Sequence, residues 1–290
     1  MKILTHILLL LARLFALLPH KIIINFGKLI GNIFKLIDKK RVKITLENIK
    51  SAYPNQSNEF IEDIKNGAYE NLGIVMAEVM SFLFKKPDKI KKLLIYENPE
   101  LLTNTYEKQK GMILLSGHFG NWECLALSAG FITQQPIHVI VKKQANPIID
   151  KYLNDFRRKS GNEMIYMDKA ALKTYKILKN KGIIAMLVDQ AAPKKTGLFV
   201  DFFSRKASTY EAPASLALKN DIPIIIGFAI RDNNYKYRIH LREIKYDDLK
   251  NNENAIELLT QRHVNILEDE IIKYPHLWAW QHKRWKHIKD

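Results

Sequence analysis

Residues 112–123, MILLSGHFGNWE, indicate most directly which type of fold this chain adopts. The apolar run at 112–115 ends in Ser116-Gly117, a pattern typical of a short buried strand. A loop containing glycine follows, and a helix is predicted from Asn121 onward. A buried strand that leads directly into a helix is the repeating unit of α/β proteins.

The rest of the chain repeats this alternation of strands and helices. Apolar runs predict strands at 137–141, 183–188, 222–230 and 235–241, the last two joined by a turn at 232–234. Helical patterns lie at 147–159, 168–180, 212–218 and 254–273. A longer helix at 57–84 begins at a Ser57 or Asn58 cap and stops before Pro87. We therefore predict an α/β domain with a mostly parallel central sheet flanked by helices, preceded by a helical N-terminal part.

The 290 residues carry a formal net charge of +16, with 47% hydrophobic and 26% charged residues. This composition is typical of a folded protein, and its basic balance favours anionic partners such as nucleic acid, lipid headgroups or an acidic protein. Cys124 is the single cysteine, so an intramolecular disulfide is excluded. Beside Glu123 it is a candidate nucleophile, although a free cysteine is more often a small buried apolar residue.

The first 37 residues are predicted to associate with a membrane. Residues 3–18 are almost wholly apolar, yet this run is shorter than the roughly 20 residues of a spanning helix and contains Arg13. Residues 22–37 are amphipathic, with Lys28 and Lys35 on one helix face and apolar side chains on the other. The basic cluster at 39–43 favours the cytoplasmic side and anionic lipid. The alternative is a pair of ordinary core helices beneath a solvated run of charge.

The loop at 117–121 carries the candidate chemistry, with His118 as base and Glu123 as its partner. Five residues of one helix separate side chains by about 140°, so the two would not meet on a continuous helix. We therefore expect His118 in the loop and Glu123 in the first helical turn, where its carboxylate can orient the imidazole. A base with an orienting acid suits direct attack by a substrate hydroxyl on an activated acyl group. Gly117 and Gly120 permit a tight turn and close approach of a substrate.

Residues 117–123 resemble the signature of the bacterial lipid A biosynthesis acyltransferases, the late lauroyl and myristoyl transferases. This family lies within a lysophospholipid acyltransferase-like group, whose hallmark is a histidine, four residues and then an acid. Further ordered motifs extend the resemblance over nearly the whole chain. They are Arg41 and Asn48 with Ala52-Tyr53-Pro54; Asn146-Pro147 with Arg157 and Gly161; Asp189-Gln190 with Phe202-Phe203 and Ala207-Ser208-Thr209; and the C-terminal Trp278-x-Trp280-x-His282-x-Arg284-Trp285-Lys286.

Three positions depart from the family pattern. Ile49 and Tyr53 replace the more usual Leu and Phe. Ser204 stands where the family usually has Gly, which predicts a local difference in that loop.

The resemblance implies transfer of an acyl chain from acyl carrier protein to a hydroxyl of a lipid A precursor, at the cytoplasmic face of the inner membrane. His118 would be the general base and Glu123 its partner, with no metal or other cofactor. Arg157 and Asp189 match family positions at or near the site; Arg157 is expected to pair with a phosphate or with Asp189, or to be a solvated helix residue. Gly120 and Asn121 complete the predicted substrate-binding set.

We expect residues 1–37 to form the membrane-associating segment, as a single span or an interfacial anchor, and residues 38–290 the acyltransferase domain. The C-terminal aromatic cluster is either a membrane-facing patch or a buried tryptophan cluster with a basic rim. Lys194 and Lys195 suit an anionic headgroup, or belong to a solvated loop.

Three other interpretations remain. The acceptor can be another phospholipid or glycolipid. A basic nucleic-acid-binding protein would explain the charge, but no binding signature supports it and the apolar N-terminus opposes it. A metal hydrolase would use His118, Glu123 and Asp189, although the two-histidine helix spacing typical of zinc enzymes is missing from the sequence.

Overall fold

The computed structural model describes residues 2–287 and confirms an α/β fold with a mostly parallel central sheet. Met1 and residues 288–290, at the outer ends of the two predicted domains, lie outside the described residues. The helices are α1 (Lys2–Leu17), α2 (His20–Ile37), α3 (Lys39–Ala52), α4 (Asn58–Phe82), α5 (Pro87–Lys91), α6 (Glu100–Glu107), α7 (Trp122–Thr133), α8 (Pro147–Arg157), α9 (Ala170–Lys179), α10 (Ala212–Asn220) and α11 (Ala255–Lys273). The strands are β1 (Leu94–Tyr96), β2 (Met112–Ser116), β3 (Ile137–Val141), β4 (Glu163–Tyr166), β5 (Ile183–Leu187), β6 (Leu198–Phe202), β7 (Arg205–Thr209), β8 (Ile224–Arg231) and β9 (Tyr237–Ile244).

Within residues 2–287, seven strands form the main sheet in the order β1-β9-β8-β2-β5-β3-β4. Every neighbouring pair is parallel except β8 and β9, which form the predicted hairpin. Asp232 closes its turn, since Oδ1 accepts from the backbone N–H groups of Asn234 and Lys236. Because β2, β5 and β3 are adjacent and parallel, the loops that follow them meet at one edge of the sheet.

Strand β2 lies at the centre of the sheet and is buried along its whole length, as its apolar sequence predicts. Ile113 and Leu115 contribute to the main hydrophobic core, whereas Met112 and Leu114 belong to a second cluster beneath α6 and α7. Successive residues of the strand thus supply apolar side chains to both faces of the sheet.

The N-terminal helices pack on the long helix α4. Gly31 in α2 and Gly73 in α4 allow the two backbones to touch, since a Cβ at Gly31 would lie 2.1 Å from the Tyr69 carbonyl oxygen. Lys28 and Lys35 occupy one face of α2, as predicted, and reach Glu70 at 3.5 Å and Asn66 at 2.7 Å.

The opposite side of these helices exposes apolar side chains. In α2 these are Ile22, Phe26, Leu29, Ile33, Leu36 and Ile37, whose exposed fractions run from 42% to 73%. Helix α1 exposes Ile7, Leu8, Leu10, Leu11, Leu14 and Leu17 in the same way. Within residues 2–287, none of the helices has the length and apolar character that a membrane span requires.

The C-terminal tryptophans form a buried cluster, which confirms the second of the two alternatives from the sequence and contradicts a membrane-facing patch. Trp278 and Trp280 are almost fully buried, with ring centroids 4.7 Å apart, and Trp285 stacks on Phe202 at 5.5 Å. The rings face the core because β6, β7 and α11 supply apolar partners for them.

Several local expectations differ from the structure. Helix α4 ends at Phe82, and Pro87 is instead the first residue of α5. The predicted helix start at Asp168 is a 3₁₀ turn over 167–169, after which α9 begins at Ala170. The hairpin of β6 and β7 follows sequence that we did not assign to strands, and Phe203 and Ser204 form its turn with φ of 51° and 56°.

Candidate active site

The loop between β2 and α7 holds His118 at the carboxyl edge of the sheet, as predicted. Two backbone hydrogen bonds attach this loop to neighbouring segments. Gly120 N donates to the Leu277 carbonyl at 2.9 Å, and Asn121 N donates to the Ala229 carbonyl at 3.1 Å. Gly120 has φ of +57°, and a Cβ there would lie 2.0 Å from the Ala229 carbonyl oxygen, so only glycine fits. The loop is therefore rigid, and His118 has a defined position.

Asp189 orients His118. It follows β5, the neighbour of β2, and its Oδ1 lies 2.8 Å from His118 Nδ1. Its Oδ2 accepts from the backbone N–H of His118 at 2.8 Å and from Trp278 Nε1 at 2.9 Å. Asp189 is 2% exposed, whereas the His118 side chain is 20% exposed. The carboxylate is thus buried behind an imidazole that remains accessible.

The electrostatics favour a charged pair. Burial lowers the pKa of His118, but the charge and hydrogen bond of Asp189, with a smaller effect from Glu123, outweigh it and raise the pKa above its usual value. Burial likewise opposes ionisation of Asp189, yet the contacts with His118 and Trp278 hold the pKa of its carboxyl far below the usual range. Asp189 therefore stays ionised and stabilises the imidazolium that forms when His118 accepts a proton.

Glu123 lies in the first turn of α7, as predicted, but its carboxylate pairs with Arg157. Arg157 Nη2 lies 2.6 Å from Glu123 Oε1, and Arg157 Nε lies 2.9 Å from Oε2. The expected hydrogen bond from the imidazole of His118 to Glu123 is replaced by the contact with Asp189, because Asp189 follows the adjacent strand and reaches Nδ1 directly. The protein partner of Arg157 is likewise Glu123 and not Asp189, while pairing of Arg157 with a substrate phosphate stays a prediction.

Gly120 and Asn121, predicted to bind substrate, support the loop in the structure. Asn121 is fully buried and caps α7, with Oδ1 accepting from Cys124 N at 2.9 Å. Its Nδ2 donates to the buried Glu78 carboxylate at 2.7 Å. Cys124 is also fully buried, and burial raises the pKa of its thiol well above the usual value, which disfavours the nucleophilic thiolate.

A cavity of about 230 Å³ opens beside His118. His118, Trp122, Glu123, Arg157 and Lys142 contribute to its lining at the carboxyl edge of the sheet. Farther along α7 and the strands the walls are apolar, formed by Leu102, Leu114, Leu125, Ala126, Ala129, Val139, Ile225 and Leu241. A narrow apolar space with polar groups at one end suits a molecule with a hydrocarbon chain and a reactive head.

Three further residues lie at the site, and we assigned none of them a role from the sequence. Trp278 donates to Asp189, and Gln190 Nε2 lies 3.4 Å from His118 Nε2 and 3.3 Å from His282 Nε2. All three belong to motifs that carry the family resemblance, and membership of these motifs was the sequence signal that could have placed them at the site. The metal-hydrolase interpretation gains no support: among residues 2–287, no three His, Cys, Asp or Glu side chains converge to hold a metal ion.

A histidine with a buried carboxylate partner, beside an apolar cavity at the edge of a parallel sheet, is an arrangement that suits acyl transfer. The model of the bacterial lipid A biosynthesis acyltransferase family matches residues 1–287. The chain therefore belongs to this family, and it is an acyltransferase.

Individual relatives agree with this assignment at low identity. The chain is 21% identical over 271 residues to the lipid A biosynthesis palmitoleoyltransferase of Escherichia coli K12, covering 93% of this chain and 86% of that protein. A lipid A biosynthesis acyltransferase of Shigella flexneri matches equally well. The lipid A biosynthesis lauroyltransferase of Escherichia coli K12 is 23% identical over 188 residues, covering 64% of this chain and 60% of that protein.

Proposed function

We propose that the enzyme transfers a fatty acyl chain from the thioester of acyl carrier protein to a hydroxyl of a lipid A precursor or similar glycolipid. The observation that carries this proposal is the His118–Asp189 pair beside the apolar cavity. The family match supports a lipid acceptor, as do the names of the three relatives. Another phospholipid or glycolipid acceptor is the alternative.

In the proposed reaction, His118 acts as the general base. Its Nδ1–H donates to Asp189, which leaves Nε2 free to take the proton of the acceptor hydroxyl. The hydroxyl oxygen attacks the thioester carbon and forms a tetrahedral intermediate. When the C–S bond breaks, the departing thiolate recovers the proton from His118, and the products are an ester and a thiol. The N-terminus of α7, which begins at Trp122, favours the negative charge of the intermediate.

Glu123 and Arg157 have a different part in this proposal from the one the sequence predicts. Their bidentate pair fixes the wall of the cavity next to His118. The Glu123 charge also raises the pKa of His118, after the larger effects of burial and Asp189. We therefore assign the orienting role to Asp189, while Glu123 shapes the donor site and its electrostatic field.

Basic residues beside the cavity suit an acidic carrier protein and a phosphorylated lipid. Lys142 follows β3 and lines the cavity, and Lys194 and Lys195 are exposed in the loop after β5. These loops share the edge of the sheet with His118 because β3 and β5 are parallel neighbours of the same sheet. Family membership favours lipid and carrier protein over nucleic acid as the explanation for the net charge of +16.

We also propose that α1 and α2 lie in the membrane interface, at the cytoplasmic face of the inner membrane. Their inner sides pack on α4, and their outer sides expose aliphatic residues that would enter the headgroup and acyl boundary. Lys21, Lys39, Lys40 and Lys43 are exposed near these helices and suit anionic lipid headgroups.

The first test is transfer by the purified full chain. Labelled lauroyl or myristoyl thioester of acyl carrier protein is the donor, and a detergent-solubilised lipid A precursor is the acceptor. We expect His118→Ala to lower kcat by at least about 10²-fold, the scale of lost general-base catalysis. His240→Ala, at an exposed histidine of β9, is the matched control and should retain the wild-type rate. A near-normal rate for His118→Ala would exclude the mechanism, and failure of the wild type with every glycolipid would exclude the acceptor class.

Membrane attachment is tested separately by flotation with anionic liposomes. Leu10→Glu and Leu14→Glu place charges on the exposed face of α1 and should reduce co-flotation severalfold. Leu172→Glu, at an equally exposed leucine of α9, is the control and should float like the wild type. Equal flotation of all these variants would contradict an interfacial role for α1.

A further inference from the structure

A glutamine amide connects the nucleophile-activating histidine with a second histidine. Gln190 Nε2 lies 3.4 Å from His118 Nε2 and 3.3 Å from His282 Nε2, and the two ring centroids are 5.1 Å apart. Since Asp189 occupies Nδ1 of His118, the nitrogen that faces this contact is the one proposed to accept the proton. All three side chains are only partly buried, so a substrate group can reach them.

The protonation states of the three groups are mutually consistent. In the neutral form in which His118 can accept a proton, its Nδ1–H donates to Asp189 and its Nε2 presents a lone pair. Burial, with repulsion from His118 when that ring is protonated, lowers the pKa of His282 to about 4, and the His282 ring is therefore neutral at pH 7. A glutamine amide nitrogen has two hydrogens and can donate one to each lone pair. When both Nε2 atoms present lone pairs, the amide nitrogen of Gln190 is the end that can contact both rings, because its oxygen would face two acceptors.

Helix α3 holds the backbone that carries His282. Asn48 is buried, and its Nδ2 lies 2.7 Å from the carbonyl oxygens of both Trp280 and His282. Arg41 Nη1 donates to the Gln281 carbonyl at 2.8 Å. Helix α3, which is distant in sequence, therefore sets the position of His282. Such support is expected for a side chain that orients another group.

We propose that Gln190 binds the acceptor hydroxyl and that His282 is a positioning residue that orients the Gln190 amide. One amide hydrogen would donate to the hydroxyl oxygen while the hydroxyl hydrogen points to His118 Nε2. The other amide hydrogen would stay on His282 Nε2. This inference rests on the proposed acyl transfer, and the proton, the new C–O bond and the broken C–S bond are those of that reaction.

The arrangement separates the two substrates around one imidazole. The ring centroids of Trp122 and His118 lie 5.2 Å apart, and Trp122 lines the apolar cavity, which is the proposed acyl site. Gln190 contacts His118 at Nε2 instead, and the ring centroid of His282 lies 5.1 Å from that of His118. The acceptor would thus approach along the Gln190 contact while the acyl chain occupies the cavity.

The test compares Gln190→Ala and His282→Phe with His282→Gln in the purified full chain. We expect the first two to lower kcat/KM for a lipid A precursor about tenfold or more, with the donor KM for lauroyl-acyl carrier protein within about twofold of wild type. In His282→Gln the new amide oxygen can accept from Gln190, so most of the rate should return. Gln56→Ala and His240→Phe, both at exposed positions, are matched controls that should behave like the wild type.

Each other outcome has a distinct meaning. Wild-type acceptor kinetics in Gln190→Ala and His282→Phe would overturn the inference. So would an equal rise of donor and acceptor KM, or a loss in His282→Phe that His282→Gln does not restore, since both indicate a structural role. If His282→Phe fails to fold, Gln190→Ala and His282→Gln still decide the question. Failure of the proposed function looks different, because the wild type itself would then transfer acyl to no hydroxyl acceptor.

Discussion

His118 and Asp189 meet through both oxygens of one carboxylate. Oδ1 lies 2.8 Å from His118 Nδ1, and Oδ2 lies 2.8 Å from the backbone nitrogen of the same residue. The carboxylate therefore fixes the loop and the imidazole together, and its second oxygen also accepts from Trp278 Nε1. Asp189, which follows β5, thus sets both the position and the tautomer of the imidazole of His118, which follows the neighbouring strand β2.

Asp189→Asn should change the tautomer of His118 while keeping the shape of the site. The amide oxygen should take the Oδ2 position, where two N–H donors point, which leaves its NH₂ group facing His118 Nδ1. The imidazole must then carry its proton on Nε2 and cannot act as the base. We expect kcat to fall by about 10²–10⁴-fold, the range seen when such a partner is changed to an amide.

The pH dependence of this variant has a defined sign. Asp189 raises the pKa of His118 against the effect of burial, and the base must be neutral to act. Removal of the charge should therefore shift the acid limb of the residual rate profile to lower pH. Measured kcat/KM profiles and nitrogen NMR of the imidazole would check the rate, the shift and the tautomer. Asp168→Asn, at an exposed aspartate, should change none of them.

The Glu123–Arg157 pair should be strongly coupled in stability. Both side chains are less than 15% exposed and share two hydrogen bonds, so either one left alone is a poorly solvated charge. We expect Glu123→Gln and Arg157→Gln each to lower the free energy of unfolding by about 2–3 kcal/mol. The double variant should lose clearly less than the sum of the two.

Chemical denaturation of the wild type, the two single variants and the double variant measures this coupling. The exposed pair of Lys151 and Asp155, 2.5 Å apart, is the control, and its single changes should leave the denaturation midpoint close to that of the wild type. Additive losses at Glu123 and Arg157 would contradict a mutually dependent pair.

Ala129 should limit the length of the acyl chain. It lines the cavity seven residues after Trp122 on the same helix, which places it about 10 Å farther along the cavity wall. A leucine at this position would fill part of the apolar space that a long chain needs. Ala129→Leu should therefore shift the preference of the enzyme toward shorter acyl donors, with the rate for the best short donor within about threefold of wild type.

A series of acyl carrier protein thioesters of increasing chain length measures this preference directly. Ala171→Leu, at an exposed alanine of α9, is the matched control. A uniform loss of rate at every chain length would indicate damage to the fold and would count against a role in chain selection.

Strands β2, β3, β5, β8 and β9 and the loop that carries His118 could be predicted because their signals are local. Residues 112–115 are continuously apolar, and the glycines mark the turn before α7. The spacing of His118 and Glu123 also required the histidine to lie in the loop. These arguments need no knowledge of which strands are neighbours.

The partner of His118 could not be predicted in this way. Glu123 is near in sequence, but Asp189 reaches Nδ1 because β5 lies next to β2, a fact of sheet order that the local pattern does not contain. The resemblance placed Asp189 near the site without giving its contact. The tryptophan cluster was ambiguous for a similar reason, since its burial depends on the unassigned β6–β7 hairpin.

The turn between β6 and β7 is expected to hold backbone strain at Ser204. Phe203 and Ser204 both have positive φ, as in two-residue turns that favour glycine, and Ser204 stands where the family usually has Gly. A non-glycine residue in this region costs roughly 1–2 kcal/mol, so Ser204→Gly should raise the free energy of unfolding by about 1 kcal/mol. Ser204→Ala keeps the Cβ and should give no gain, which separates backbone strain from the loss of the hydroxyl. Denaturation midpoints of the two variants measure the difference, and equal midpoints would show that the turn stores no strain at this residue.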